Sequence, residues 1–170
     1  MTAEAALPIV FIGPMGSGKS RIGRKVAAAL GVPFIDTDSV VVAEHGPISG
    51  IFDREGEDFF RVLERAAVAE AITQPAVVSL GGGAVLDPRT QDDLRDATVI
   101  LLTVTAEVVA RRLHGGKRPL LAEDGIAAWT RIRDERLPIY EGLATVTFDT
   151  SNGSLTELAD DIVNWVKERS

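Results

Sequence analysis

Residues 9–20 read Ile9-Val10-Phe11-Ile12-Gly13-Pro14-Met15-Gly16-Ser17-Gly18-Lys19-Ser20. A short apolar run is followed at once by the spacing G-x-x-x-x-G-K-[ST], and that spacing opens a helical pattern. Glycines let the backbone curl so that successive N–H groups face an anion. The helix that follows presents its unpaired N-terminal N–H groups to the same place. Lys19 can neutralise β- and γ-phosphates, and the Ser20 hydroxyl can reach Mg²⁺. The stretch therefore predicts a buried strand, a phosphate-cradling turn and a helix, and a chain that binds a nucleoside triphosphate.

Working outward, β-rich runs alternate with longer helical ones. Strands are predicted at 9–12, 33–35, 76–80, 98–103 and 144–148. Helices are predicted at 19–30, 38–44, 57–72, 89–95, 106–113, 125–140 and 155–168. Gly31 ends the first helix, with Pro33 just beyond. Strands alternating with helices imply parallel pairing through right-handed crossovers, hence a three-layer α/β/α sandwich. Val99-Ile100-Leu101-Leu102 has no polar alternation, as expected of a strand covered on both faces.

In such sheets ligands gather beyond the carboxyl ends of the strands. The phosphate loop follows the first strand, Asp36-Thr37-Asp38 the second, and Gly81-Gly82-Gly83 the third. These segments should converge on one crevice. Near phosphate, one carboxylate of the Asp pair can hold a hydrated metal while the other accepts the proton of an attacking alcohol. Capping of the next helix explains Asp38 alone but not the pair. No Walker B Asp ends the third strand, which points to Ser20 and Asp36 as the metal oxygens, Asp36 directly or through water. Three glycines strip side chains from that strand end, so a ligand can approach the backbone. Arg61 and Glu64 share a helix face. They read either as a surface ion pair or as a carboxylate-gripping arginine with its positioning partner. Arg136 reads either as a complement to its helix dipole or as a second such arginine. Residues 114–125 begin and end near glycine and carry Lys117 and Arg118, the pattern of a phosphate-covering lid.

Composition narrows the class. The 170 residues are 45% hydrophobic with a formal charge of −7, which fits a single folded domain spanning 1–170 and argues against nucleic acid or anionic membrane as partner. Aromatics are only 5%, too few for stacking platforms. Two local basic clusters, Arg111, Arg112, Lys117 and Arg118, and Arg131, Arg133 and Arg136, suit small anions. There are no cysteines, so thiolate chemistry is excluded. Residues 1–7 lack the features of a signal peptide, and no apolar window reaches membrane-spanning length; a cytoplasmic protein is expected.

Over nearly its whole length the sequence resembles the shikimate kinases, members of the nucleoside-monophosphate-kinase-like group of P-loop proteins. The resemblance rests on the phosphate loop, on Phe34-Ile35-Asp36-Thr37-Asp38, and on Phe60-Arg61-Val62-Leu63-Glu64 spaced from Val77-Val78-Ser79-Leu80-Gly81-Gly82-Gly83. It also rests on Lys117-Arg118-Pro119-Leu120-Leu121 and Arg136-Leu137-Pro138-Ile139-Tyr140. It implies ATP-dependent phosphorylation of the 3-hydroxyl of shikimate, a five-stranded parallel sheet of order 2-3-1-4-5, a mobile lid at about 113–125, and a monomer. Asp38 would bind the acceptor hydroxyl and serve as base. Arg61 and Arg136 would grip the shikimate carboxylate, Gly81, Gly82 and Gly83 would line its pocket, and Phe52 and Phe60 would wall it. ATP would meet Gly16, Ser17, Gly18, Lys19, Ser20, Arg21, Arg112 and Arg118. Within that set Arg112 would lie against adenine, and Arg118 would join Lys19 on the transferring phosphate. The segment 149–154 lacks the arginine that some members place near adenine. A gluconate or nucleotide kinase is the nearest alternative, and a non-catalytic nucleotide-binding module the next. No Asn-Lys-x-Asp guanine-reading segment is present.

Overall fold

The computed structural model describes residues 7–113 and 123–169. Strand β1 (Ile9–Ile12) leads into α1 (Lys19–Leu30), then β2 (Phe34–Asp36), α2 (Thr37–His45), α3 (Ile48–Glu55), α4 (Glu57–Ala71) and β3 (Val77–Ser79). The second half comprises α5 (Pro88–Asp93), β4 (Thr98–Thr103), α6 (Ala106–Leu113), α7 (Glu123–Leu143), β5 (Val146–Asp149) and α8 (Leu155–Arg169). The strands form one sheet of order β2-β3-β1-β4-β5 with every pair parallel. Ile9 pairs with Val77 on one side and Thr98 on the other, which puts β1 at the centre.

The period-two geometry of strands divides the core into two. Val10, Ile12, Val78, Val99 and Leu101 face Val68 and Ala71 of α4 and Tyr140 of α7. Ile9, Phe11, Val77, Ile100 and Leu102 face Ile22 and Val26 of α1 and Ile162 and Val166 of α8. Because both faces of β1 are covered, all four of its residues are buried, which explains its unbroken apolar run.

The differences from the sequence reading are local. Helix α3 occupies a stretch for which no element was expected; it has only eight residues, contains Gly50, and is anchored by buried Ile51 against Val41 and Phe60. Helix α7 runs to Leu143 with Pro138 inside it, so the proline costs one backbone bond without ending the helix. Arg136 is thus a mid-helix residue, not a complement to the helix end. Asp36, not Asp38, caps α2: its Oδ1 accepts the Ser39 N–H at 3.2 Å, while Asp38 lies in the first helical turn. The last strand is shifted to Val146–Asp149. Lys117, Arg118 and nearly all of the expected lid lie outside the described residues.

Candidate active site

The phosphate loop is shaped by backbone constraints. Gly13 has φ 145°, and a Cβ there would meet the Leu102 carbonyl oxygen at 2.3 Å, so the position admits no side chain. Gly18 precedes α1 in the left-handed region, and among the described residues no side chain caps that helix. The start of the helix lines the crevice described below, where an anion would meet the positive end of its dipole.

The loop's carbonyls are held by donors, one after another. Lys19 Nζ donates to Gly13 O at 2.8 Å and to Pro14 O at 3.0 Å. Trp129 Nε1 donates to Met15 O at 2.8 Å. Arg112 Nη1 donates to Gly16 O at 2.9 Å, and Thr150 Oγ1 donates to Ser17 O at 2.8 Å. Arg112 also donates to the hydroxyl and carbonyl oxygens of Thr150. Holding these carbonyls fixes the path of the loop and so preorganises the cradle, within which the Ser17 N–H is itself spent on Pro14 O at 3.2 Å. The Ser17 hydroxyl, fully buried, has no hydrogen-bond partner among the described residues. Burial lowers the Arg112 pKa, with nearby Arg111 and Arg21 acting the same way and Asp149 opposing.

Two cavities meet at the carboxyl ends of the strands. The first, of about 800 Å³, is lined by the loop, Lys19, Ser20, Arg21 and Asp36. The second, of about 430 Å³, is lined by Phe52, Phe60, Arg61, Glu64 and Arg136. Asp38, Gly81 and Gly82 line both. In the first, Ser20 Oγ donates to Asp36 Oδ2 at 2.6 Å.

The glycine triplet is explained by what a side chain would strike. A Cβ on Gly81 would lie 2.7 Å from Asp38 Oδ1 and 3.1 Å from Glu64 Oε2. One on Gly83 would lie 2.7 Å from both Nη atoms of Arg61. One on Gly82 would lie in ordinary contact with Arg136 Nη1, at 3.6 Å. The missing side chains thus leave room for charged groups arriving from α2, α4 and α7. Arg61 Nη1 donates to Glu64 Oε1 at 2.7 Å, and its Nη2 to Glu57 at 3.3 Å. Burial raises the Glu64 pKa, and the negative charge of Asp38 acts in the same direction, against the pull of Arg61 and Arg136. Phe60 is buried and meets half-exposed Phe52 edge-on, ring centres 5.1 Å apart, forming an apolar wall. Tyr140, with its pKa raised by burial, donates its hydroxyl to Gly82 O at 2.6 Å and ties α7 to the triplet.

A sequence profile of the shikimate kinase family matches residues 15–167. The chain belongs to the shikimate kinase family. It is 43% identical to a shikimate kinase of Thermobifida fusca over 154 residues, covering 89% of this chain and 90% of the relative. It is 44% identical to one of Salinispora arenicola, covering 90% and 93%. A structure of the Acinetobacter baumannii shikimate kinase in complex with shikimate superposes with a TM-score of 0.88 at 28% identity, covering 99% and 98% of the two chains.

All the described residues that the sequence reading assigned to a shikimate site, namely Asp38, Phe52, Phe60, Arg61, Gly81, Gly82, Gly83 and Arg136, line the one hollow. Three residues that contribute to this architecture escaped that reading: Trp129, Tyr140 and Thr150. A signal for the first two existed. Trp129, Arg136 and Tyr140 recur at helical spacing and so share a face of α7. Thr150 carried no comparable pattern.

Proposed function

We propose that the chain transfers the γ-phosphoryl group of ATP to the 3-hydroxyl of shikimate, giving shikimate 3-phosphate and ADP. The observation that carries this reading is that Asp38 lies where the phosphate crevice and the acid-binding hollow join. An acceptor hydroxyl held there faces the cradled γ-phosphate.

The chemistry follows from that placement. The 3-oxygen attacks the γ-phosphorus while the bond to the β–γ bridging oxygen breaks, and Asp38 takes the hydroxyl proton. The transition state is loose, with charge spread over the oxygens of the moving group. Preorganised positive charge therefore matters more than covalent assistance. Lys19 and the start of α1 supply it at the loop, with Arg118 assigned to the same phosphate. Arg61 and Arg136 face the acceptor carboxylate, for which planar guanidinium forks are suited. Glu64 holds Arg61 from one side, and the aromatic wall covers the ring.

The donor set fits Mg²⁺. Ser20 Oγ and Asp36 Oδ2 are paired hard oxygens in the phosphate crevice. Among the described residues no group of three or more His, Cys, Asp or Glu gathers to form a protein cage. That suits an ion held by one hydroxyl, one carboxylate directly or through water, and the nucleotide's own phosphates. When bound it neutralises charge across the β- and γ-phosphates. The acidic balance, −7 overall, supports small-molecule partners and not nucleic acid. No helix among the described residues is long and apolar enough to cross a membrane. We read the chain as a cytoplasmic monomer.

The test is ADP release from ATP and Mg²⁺ with shikimate, gluconate or nucleoside monophosphates as acceptor. Shikimate alone should stimulate it, with one phosphate ester formed per ADP. Equal stimulation by gluconate or by a nucleotide would overturn the assignment.

A further inference from the structure

Helix α7 touches the site at three levels. Near its start Trp129 donates from Nε1 to Met15 O, a carbonyl of the phosphate loop, at 2.8 Å. Seven residues on, Arg136 faces the acceptor hollow. Four further on, the Tyr140 hydroxyl donates to Gly82 O at 2.6 Å. These positions lie on one face of one helix, and a packed helix moves as a unit. The indole is also locked. It is 5% exposed, packs with Val104, Val108 and Val109, and has the Arg133 guanidinium 5.1 Å above its ring. Trp129 itself lines the acceptor hollow while its N–H leaves that hollow for the loop. Any shift of α7 that tightens Arg136 on an acid therefore moves the donor that holds Met15, and the reverse.

We infer that Trp129 is a positioning residue that couples acceptor binding to the phosphate loop through its single indole–carbonyl hydrogen bond. The inference rests on the shikimate kinase reading of the hollow and adds to it a route between the two substrates. Linkage is reciprocal: if shikimate tightens nucleotide binding by some factor, nucleotide tightens shikimate by the same factor. One neutral hydrogen bond supports a factor of roughly two to ten. Trp129→Phe keeps an aromatic ring in the cluster with Val104, Val108 and Val109 and removes the donor.

The experiment measures ADP affinity with and without saturating shikimate, and shikimate affinity with and without saturating ADP, in the native chain and in Trp129→Phe. The expected result is a coupling factor of roughly two to ten in the native chain. In the variant it falls to near one, while each ligand alone still binds. A second arm uses Trp165→Phe, which leaves Trp129 as the sole indole, since the chain has 2 tryptophans. Trp129 emission should then change on adding ADP without acceptor, because Met15 belongs to the loop that ADP fills. The inference is wrong if Trp129→Phe retains the native coupling factor, if the native chain shows none, or if the lone indole is blind to ADP. Failure of the native chain to bind shikimate at all would instead sink the functional reading beneath it.

Discussion

The phosphate crevice and the acceptor hollow adjoin, yet they are built in opposite ways. The crevice is made of main chain: the path of its loop is fixed because the carbonyls of Gly13, Pro14, Met15, Gly16 and Ser17 are each held by a donor. The hollow is made of side chains that converge from α2, α4 and α7 on a strand end emptied of side chains. Backbone sites tolerate only glycine at key points; side-chain sites depend on the space that neighbouring positions leave open. The difference suggests that lesions in the two regions should separate into distinct kinetic signatures.

The largest effect is expected in the crevice. Lys19→Met removes both a phosphate-facing charge and the donor to Gly13 and Pro14. Turnover should fall on the order of 10²–10⁴-fold, the scale of comparable charge-stabilising groups. Steady-state kinetics beside a thermal melt would check it; a native-like kcat would show that the crevice does not depend on that charge.

The hollow offers a sharper contrast, because one substitution placed two residues apart should give opposite readouts. Gly81→Ala pushes against the Asp38 carboxylate, so kcat should drop about tenfold or more while the shikimate KM stays close to native. Gly83→Ala pushes against the Arg61 guanidinium, so the KM should rise by a similar factor with kcat less affected. If both variants lost kcat and KM in the same proportion, the division of labour between Asp38 and Arg61 would be refuted.

A smaller effect concerns pH. The folded-state pKa of Glu64 is raised, chiefly by burial. Between its ordinary value and the raised one, the folded chain binds more protons than the unfolded chain. Its contribution to stability is therefore lost as pH rises through that window. Urea midpoints compared across the acid range should show this decline in the native chain and not in Glu64→Gln. Identical slopes in the two would remove Glu64 as the source.

The same contrast explains what the sequence revealed. The loop lies in eight consecutive residues, and its spacing is dictated by local backbone geometry, so motif and strand–helix context could be read together. The α/β layering followed from the alternation of apolar runs, and the sheet order from the shikimate kinase resemblance. In the hollow, Arg61 and Glu64 could be placed on one helix face, but residue pattern alone left their role open; the shikimate kinase resemblance supplied it. Only the fold shows that this face approaches Gly83. The capping role of Asp36 was missed because the helix was expected to begin at residue 38, whereas it begins at Thr37 and Asp38 already belongs to α2. Helix α3 was hidden by its length and by Gly50, since its stability comes from Ile51 packing on α2 and α4 and not from propensity.

One further consequence lies in β2. It has three residues, none fully buried, and among the described residues pairs only with β3, so it forms a margin of the sheet. Asp36 terminates it and Asp38 lies in the first turn of the helix that follows at once, so the placing of both carboxylates depends on a short strand paired on one side. Marginal strands open by local fluctuation at lower free energy than central ones. A mild chaotrope should therefore silence phosphate transfer before the far-ultraviolet signal of the sheet begins to change, making enzymatic competence an earlier casualty of denaturation than shape.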